Sequence, residues 1–361
     1  MVCKKVSYTN FRNIERQTVF FTDGLNVIEG KNAQGKTNAI EGIWVCSSGK
    51  SHRAVKDSEM IAFEKNEANV YTEYTDIGND KSVEVIISSN GQKKCKADGF
   101  FVKKRSEFIG KFKSVIFTPE HLSIVKSGPG ERRNFLDNAL CLLYPSYTAN
   151  IQDYTRILKQ RNKMLSDHAE EKINLKESRE LFDEFEIWTE KLAEKSEKIA
   201  IERLEYSKKI KEVSGNIFND MTDGKEKLDI VYSDIKTKEG YLKDLRDHYE
   251  KEFIVGTTLV GIHKDDLRIT INGKETKNYG SQGQQRSVAL SMKISEGEII
   301  RNVTGEYPVF LFDDILSELD EKRQNYILSG LENKQVILTA CNTIKNQTGN
   351  RILCENGNYY Q

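Results

Sequence analysis

Eight consecutive residues near the start of the sequence have the types and spacing of a phosphate-binding loop. They match the pattern G-x-x-x-x-G-K-[ST] in full. In such a loop, backbone N–H groups wrap the phosphates, the lysine reaches the β- and γ-phosphates, and the hydroxyl binds Mg²⁺. The sequence therefore predicts ATP and Mg²⁺ as cofactors, a catalytic role for Lys36 and a metal-binding role for Thr37. The predicted nucleotide-binding residues are Gly30, Lys31, Asn32, Ala33, Gln34, Gly35, Lys36 and Thr37.

The residues on either side of this loop have the secondary-structure pattern that phosphate binding requires. An apolar strand is predicted over Leu25–Glu29, directly before the loop, and a helix over residues 38–46, directly after it. A helix N-terminus adds partial positive charge where the phosphates lie. The alternative interpretation is a glycine-rich turn that binds nothing.

Two adjacent carboxylates follow a short apolar segment far downstream. Val309–Phe312 is predicted to be a buried strand, and Asp313 and Asp314 come directly after it. Asp313 is expected to hold Mg²⁺ with Thr37, and Asp314 to orient or deprotonate the attacking water, so both are predicted to be catalytic. Alternatively, Asp314 caps a helix.

A third polar motif stands at the start of a helix predicted over residues 282–301. It is a small, glycine-containing turn, and such helix starts bind anions. Because the chain already has one phosphate-binding loop, a second site suggests that ATP is sandwiched between two subunits. The predicted contacts are Ser281, Gln282, Gly283 and Gln284.

This layout resembles the ABC-type ATPases, in which the signature motif of one subunit contacts the γ-phosphate bound by its partner. The stretch Ile315–Asp320 is similar to their D-loop, and Phe11-Arg12-Asn13 is similar to an N-terminal motif of the SMC group. The resemblance implies that Arg12 contacts the nucleotide. Residues 118–122, 132–137 and 261–267 resemble the RecF family of bacterial recombination mediators, as do the P-loop and the signature.

The RecF resemblance covers nearly the whole chain and implies a function. It implies a weak, DNA-stimulated ATPase of DNA repair and replication that forms an ATP-dependent homodimer on duplex DNA and on single-strand/duplex junctions. It also implies RecR, RecO and RecA as partners, no membrane association, and a cytoplasmic, nucleoid-associated location.

Several residues depart from the related patterns. Ile262 and Lys264 replace the usual Pro and Arg of the family, and Asp314 replaces the Glu of ABC transporters. Thr339-Ala340-Cys341 stands where transporters carry a switch histidine. Glu120 is the candidate for the Q-loop position. The changes at Asp314 and at the histidine position are compatible with slow hydrolysis.

These motifs need an α/β body to position them. Strand and turn signals occur at both ends of the chain, while residues 131–214 contain no glycine and carry one long apolar stripe at helical spacing. The expected fold is an α/β ABC-type ATPase head with an inserted, mainly helical second lobe and no long coiled coil. The predicted division is 1–118 plus 256–361 for the ATPase lobe and 119–255 for the helical lobe. Further strands are predicted over residues 257–260 and 267–271.

The chain has 361 residues and equal numbers of basic and acidic residues, 55 of each, so its formal net charge is +0. A cationic face for DNA must therefore come from local clustering. Residues 92–113 contain only two carboxylates, and the candidate DNA contacts there are Lys103, Lys104, Arg105, Lys111 and Lys113. The alternative is an ordinary solvated surface.

The remaining composition excludes other classes. Six scattered cysteines without a CxxC pair are typical of free thiols in a reducing compartment. No segment has the length and apolarity of a transmembrane helix or a signal peptide. Two functional alternatives stay open. One is the ATPase subunit of a membrane transporter, and the other is a small-molecule P-loop kinase.

Overall fold

The computed structural model describes residues 1–330, 333–341 and 349–361, with all their side chains except those of Leu122, Ser123, Glu318 and Leu328. The strands are β1 Val2–Phe11, β2 Ile14–Phe20, β3 Leu25–Glu29, β4 Glu67–Asp76, β5 Asn79–Ser88, β6 Lys93–Ala97, β7 Phe100–Val102, β8 Ser114–Phe117, β9 Leu228–Tyr232, β10 Leu267–Ile271, β11 Lys274–Glu275, β12 Val309–Phe312, β13 Val336–Ala340, β14 Asn350–Glu355 and β15 Asn358–Tyr360. The helices are α1 Lys36–Ser48, α2 Arg105–Phe108, α3 Ser123–Lys126, α4 Pro129–Leu143, α5 Pro145–Ala169, α6 Arg179–Met221, α7 Lys238–Asp247, α8 Tyr249–Val255, α9 Thr276–Tyr279, α10 Gln282–Thr304 and α11 Glu321–Gly330.

A six-stranded sheet with the order β15-β14-β3-β13-β12-β8 forms the centre of the molecule. Its strands are parallel except for β15, which pairs antiparallel with β14. The predictions of β3 and β12 are confirmed at the same residues. Only β13 separates these two strands, so the loop after β3 and the carboxylates after β12 meet at one edge of the sheet.

Both faces of the central sheet are covered, and for this reason its strands are continuous apolar segments in the sequence. Val309 and Leu311 of β12 pack in the core with α1, whereas Phe310 and Phe312 pack in the core with α10. Beyond α1 lies a second, antiparallel sheet with the order β2-β1-β4-β5-β6-β7. Helix α1 is therefore enclosed between two sheets, and its residues from position 39 to 48 are all buried.

The segment predicted to be helical contains α3 to α8, and the long apolar stripe belongs to α6. This helix has 43 residues, about 64 Å at 1.5 Å per residue. It packs on α5, α10 and β9, so the predicted helix-to-helix packing is confirmed. Strand β9 pairs antiparallel with β10, which joins this segment to the C-terminal part of the chain.

The strand predicted over residues 257–260 is wrong. In this segment, side-chain oxygens accept the hydrogen bonds of the backbone N–H groups. Asn162 Oδ1 accepts from the N–H of Thr258 at 2.8 Å, and Glu252 Oε1 accepts from that of Leu259 at 2.7 Å. Since the backbone donors already have partners, the segment needs no strand neighbour. The strand predicted at residues 267–271 is confirmed as β10.

A helix that spans a membrane must be both long and predominantly apolar. Within the part of the chain that the structure describes, none is both long enough and apolar enough to span a membrane.

Candidate nucleotide-binding site

The predicted phosphate-binding loop lies between β3 and α1, as its motif requires. Lys36 Nζ donates to the carbonyl oxygens of Gly30 and Lys31 at 2.6 and 2.8 Å. Gly35 has a φ of 116°, and a Cβ at this position would lie 2.9 Å from Asn13 Oδ1. Only glycine fits this backbone conformation and this space without strain. The loop therefore curls around the lysine ammonium and presents the N-terminus of α1.

The hairpin formed by β14 and β15 supports this loop from outside. The N–H groups of Gly357 and Asn356 donate to Gln34 O and Gln34 Oε1 at 2.8 and 2.7 Å. The Tyr359 hydroxyl donates to Gly35 O at 2.9 Å. Sequence reasoning missed these contacts, although Asn356-Gly357 is a strong signal for a two-residue hairpin turn.

Asp313 lies at the end of β12, opposite the first turn of α1. Its Oδ1 accepts hydrogen bonds from the hydroxyls of Thr37 at 2.9 Å and Thr339 at 2.8 Å. Burial raises the pKa of Asp313, against the opposing hydrogen bonds from Thr339 and Thr37. The structure thus brings Thr37 and Asp313 together, and a hydroxyl with a carboxylate is an oxygen donor set that suits Mg²⁺ held mainly by phosphates and water.

Asp314 has an unusual backbone conformation, with a φ of 50°. Its N–H donates to Thr339 Oγ1 at 2.8 Å, so Thr339 holds both acidic residues. Cys341 Sγ lies 3.9 Å from Asp314 Oδ1 and donates to Asn32 Oδ1 at 2.8 Å. Asp314 therefore lies beside the loop, which a helix-capping role does not require. Non-glycine residues held at positive φ are enriched at functional sites.

Arg12 contacts the site through a carboxylate on α1. Its Nε and Nη2 donate to the two oxygens of Glu41 at 2.9 and 2.6 Å. Arg53 and Ser51 donate to the same carboxylate, each at 2.5 Å. Although burial opposes it, hydrogen bonds from Arg12, Ser51 and Arg53 lower the pKa of Glu41 to about 2. Glu41 and Arg53 were missed from sequence because nothing in their spacing marks them.

The predicted signature turn begins α10 with a capping box. Ser281 Oγ accepts from the N–H of Gln284 at 3.2 Å, and Gln284 Oε1 accepts from the N–H of Ser281 at 2.7 Å. Gln284 Nε2 donates to Glu226 at 2.6 Å. Ser281, Gln282 and Gln284 form the exposed or half-exposed tip of the helix together with Gly283. Arg323 Nη2 also donates to Gly283 O at 3.1 Å, so the signature turn is held by its own helix start, by Glu226 and by α11.

Two other family-like stretches contact each other across the molecule. Arg132 donates through Nε and Nη2 to the carboxylate of Asp266 at 2.6 and 2.9 Å. Arg133 donates to Asp265 O at 2.6 Å. Ile262 is buried, whereas Lys264 is exposed. These stretches thus build a junction between α4 and the segment before β10.

Glu120 lies just after β8, the strand next to β12, so it stands at the same edge of the sheet as Asp313.

A cleft of about 470 Å³ opens beside the loop, within the size range of ligand pockets. A larger cleft, of about 910 Å³, lies elsewhere, between the end of α6 and β9–β10. The smaller cleft is the one that adjoins the P-loop, because Gly30, Lys31 and Gln34 line it. The lining of the smaller cleft is Glu29, Gly30, Lys31, Gln34, Cys341, Leu353, Cys354, Glu355 and Asn356.

The candidate DNA contacts divide into two groups. Lys103 and Lys104, between β7 and α2, are exposed together with Arg105, the first residue of α2, and Lys111 is exposed nearby in sequence. Lys113 is half-buried, and burial lowers its pKa, with Asp76 close enough to oppose the shift. Lys103, Lys104 and Lys111 are therefore more available to a polyanion than Lys113, while Arg105 also donates to Ser48 O at 3.4 Å.

The fold and the site together define a class of protein, the ABC-type ATPase head. A family model described as an AAA domain matches residues 5–250. The head domain of Smc from Pyrococcus furiosus has the same fold, with a TM-score of 0.56, 15% identity, and coverage of 99% of this chain and 95% of that one.

Much closer relatives narrow this class. The DNA replication and repair protein RecF of Lachnoclostridium phytofermentans is 37% identical over 98% of this chain and 96% of its own length. A solved structure of the recombination mediator protein RecF with ATP, in the RecFOR pathway, has a TM-score of 0.91 and 33% identity. It covers 99% of this chain and 97% of its own. The chain belongs to the RecF family. These relatives do not favour a transporter subunit.

Proposed function

We propose that this chain is an ATP-gated DNA-binding protein of recombinational repair and replication-fork maintenance. The observation that carries the proposal is that one chain holds a P-loop with its acidic partner, Thr37 beside Asp313 at 2.9 Å, and a separate capped helix tip at Ser281. Two such chains arranged head to tail would bury two ATP molecules, each between the P-loop of one chain and the signature of the other.

The contacts support specific roles for residues at the P-loop. Lys36, now held by two carbonyls, would turn its ammonium to the β- and γ-phosphates. Thr37 and Asp313 would hold Mg²⁺, which neutralises phosphate charge when bound. Asp314 would orient the attacking water. We propose that the residues from Gly30 to Gln34 cradle the phosphates, and that Arg12 acts at the nucleotide edge through Glu41.

The partner subunit would supply the tip of α10. Ser281, Gln282, Gly283 and Gln284 would face the γ-phosphate of the ATP on the other chain, where the helix N-terminus favours negative charge. Hydrolysis would then act as a slow switch that separates the two subunits. DNA stimulation of this ATPase is part of the proposal.

The partners are proposed from the family. We propose that the dimer binds duplex DNA, single strands and gap junctions, and helps RecR and RecO to load RecA at cytoplasmic, nucleoid-associated sites. We also propose that residues 1–118 plus 256–361 form the ATPase lobe and residues 119–255 the helical lobe. The content of α3 to α8 supports this division, while β9–β10 pairing bridges it.

Gel filtration with and without ATP tests whether ATP is bound between two subunits. Ser281→Arg should leave ATP binding to the monomer intact and abolish the ATP-dependent dimer, because the added side chain fills the space for the partner's γ-phosphate. A Ser281→Arg protein that still dimerises with ATP would refute the sandwich arrangement.

Filter binding of DNA against salt concentration tests the DNA-binding part. The wild-type protein should bind DNA more tightly with ATP and show a steep negative slope on logarithmic axes. Lys36→Ala should lose the ATP stimulation. A transporter subunit or a small-molecule kinase should show no such binding.

A further inference from the structure

The hairpin of β6 and β7 carries two exposed aromatic side chains. Phe100 and Phe101 are 79% and 62% exposed, although a phenylalanine ordinarily gains free energy by leaving water. The tight turn between the strands, Asp98-Gly99, has positive φ at both residues. Strand β7 is the last strand of its sheet. The two rings therefore stand at the outer edge of the molecule, one on each face of β7, because successive side chains of a strand point to opposite sides.

The same hairpin anchors itself through other side chains. Val102 and Cys95, which pair across the strands, pack against the core shared by α1 and the antiparallel sheet. Lys96 pairs across from Phe101 and lies 5.0 Å above its ring, while it also forms an ion pair with Glu84 at 2.8 Å. The position of the hairpin thus does not depend on burying Phe100 or Phe101.

The charge around these rings is strongly positive. Residues 92–113 contain eight lysines or arginines and two carboxylates, and the Asp98 carboxylate accepts from the N–H of Ser82. Lys94, Lys103 and Lys104 are exposed, and none of the three forms an ion pair within the described part of the chain. Free cations next to exposed aromatic rings match the two components of a nucleic-acid strand, its phosphates and its bases.

We propose that this hairpin is a stacking site for unpaired bases of single-stranded DNA. Phe100 and Phe101 would stack on bases, and Lys94, Lys103 and Lys104 would contact the flanking phosphates. A base inside a duplex is already stacked on its neighbours, so the site selects the single-stranded part of a gap or junction. This inference rests on the proposed DNA binding, and it assigns single-stranded DNA to the surface of the β6–β7 hairpin.

A protein strand added to the free edge of β7 is the competing occupant. Backbone pairing of that kind needs neither the two rings nor a polyanion. The surplus of unpaired lysines favours DNA over such a strand, because an added strand gains nothing from uncompensated positive charge.

The test compares four proteins on three DNA probes by fluorescence anisotropy with ATP and Mg²⁺. The proteins are the wild type, Phe100→Ala/Phe101→Ala, Lys103→Ala/Lys104→Ala and Phe63→Ala. Phe63 is the matched control, because it is 90% exposed and lies outside the hairpin. The probes are labelled oligo(dT), the same strand with abasic positions, and a duplex of equal length.

The Phe100→Ala/Phe101→Ala protein should bind oligo(dT) roughly tenfold or more weakly than the wild type, and should bind the abasic strand and the duplex as the wild type does. Phe63→Ala should match the wild type on all probes. The lysine variant should weaken on every probe. Both phenylalanines are exposed, so their removal should leave the circular dichroism and Tm unchanged.

Two results would overturn the inference, and a third would affect the proposed function. Equal oligo(dT) affinity for the wild type and Phe100→Ala/Phe101→Ala would refute base stacking and point to a protein occupant. Equal wild-type affinity for the abasic and normal strands would also refute it. A wild-type protein that binds none of the probes with ATP would instead refute the proposed DNA binding, and the stacking site with it.

Discussion

Two buried carboxylates close to the P-loop have opposite electrostatic environments. Glu41 accepts hydrogen bonds from two arginines, and its pKa is lowered to about 2. Asp313 accepts from two neutral hydroxyls, and burial raises its pKa. The charge of Glu41 is therefore already compensated, whereas that of Asp313 is left for an added cation. This difference supports the proposed Mg²⁺ site at Asp313 and indicates a structural role for Glu41.

Glu41→Ala should lower the free energy of unfolding by about 3–5 kcal/mol, because it leaves Arg12 and Arg53 partly buried without their partner. A lowered folded-state pKa stabilises the protein above the ordinary glutamate pKa of 4.5, and that contribution is lost as pH falls toward 2. The difference between variant and wild type in urea unfolding should therefore shrink in acid.

Glu194→Ala is the matched control for this experiment. Glu194 pairs with Lys198 on the surface of α6, with both side chains about half exposed, and such pairs contribute less than about 1 kcal/mol. If the two alanine variants were equally stable at neutral pH, the structural role given to Glu41 would be wrong.

At the scale of elements, the contact of α10 with β12 depends on a glycine. A Cβ on Gly297 would lie 2.1 Å from Cζ of Phe310. The helix can approach the sheet this closely only because position 297 has no side chain. Since α10 begins at the signature and β12 ends at Asp313, this packing sets the distance between two functional motifs.

Gly297→Ala should therefore destabilise the fold by about 1–3 kcal/mol through overpacking. Gly215→Ala is a control that should change the stability of the fold in the opposite direction. Gly215 lies inside α6 with nothing within 4 Å of the added atom, so alanine should stabilise that helix by up to about 1 kcal/mol. Thermal unfolding of the two variants measures both effects. A Tm for Gly297→Ala at or above the wild-type value would contradict this packing.

The turn between α6 and β9 contacts two motifs at once. Glu226 accepts from Gln284 of the signature at 2.6 Å, and Asp223 accepts from Lys322 of α11 at 2.7 Å. Helix α11 follows the D-loop-like stretch. The helical segment therefore holds the side chain of a signature residue, and a movement of that segment would be transmitted to Gln284.

Glu226→Ala should weaken the ATP-dependent dimer about tenfold, the effect of losing a hydrogen bond to a charged acceptor. The affinity of the monomer for ATP should not change, because the P-loop lies elsewhere. Glu226→Gln keeps an acceptor oxygen and should restore most of the dimer. Analytical ultracentrifugation at several ATP concentrations separates these outcomes, and an unchanged dimer in Glu226→Ala would exclude the positioning role.

The parts of the fold that the sequence predicted are those with local signals. The P-loop pattern, the apolar runs of β3 and β12 and the stripe of α6 each follow from a short stretch of chain. The docking of the β14–β15 hairpin on the P-loop, the Glu41 cluster and the Glu226 contact each join residues of separate elements. Periodicity and motif spacing carry no information about such pairs, so they could not be predicted.

At the scale of the whole molecule, positive and negative side chains are unevenly distributed, although the formal net charge is +0. The surface between β6 and α2 is cationic, while most charged residues of α6 form ion pairs. DNA binding should therefore depend on a few lysines rather than on the overall field.

Reversing two of these charges, Lys103→Glu/Lys104→Glu, should reduce the salt slope of duplex binding by about 2, since each phosphate contact contributes about 0.9. The adjacent exposed pair Lys208 and Lys209 on α6 provides the control, because Lys208→Glu/Lys209→Glu makes the same change in net charge. Filter binding over a salt series measures both slopes. Equal slopes for the two variants would show that net charge alone governs binding.

The hairpin of β14 and β15 also has a consequence for synthesis. Tyr359, which donates to Gly35 of the P-loop, lies 324 residues after it. A nascent chain on the ribosome therefore displays the P-loop long before the strands that support it have been made. Until those strands dock, the loop lacks the bonds to Gln34 and Gly35, and the proposed ATP-dependent pairing should wait for them. The proposed dimerisation should thus be delayed until β14 and β15 have been synthesised and have folded.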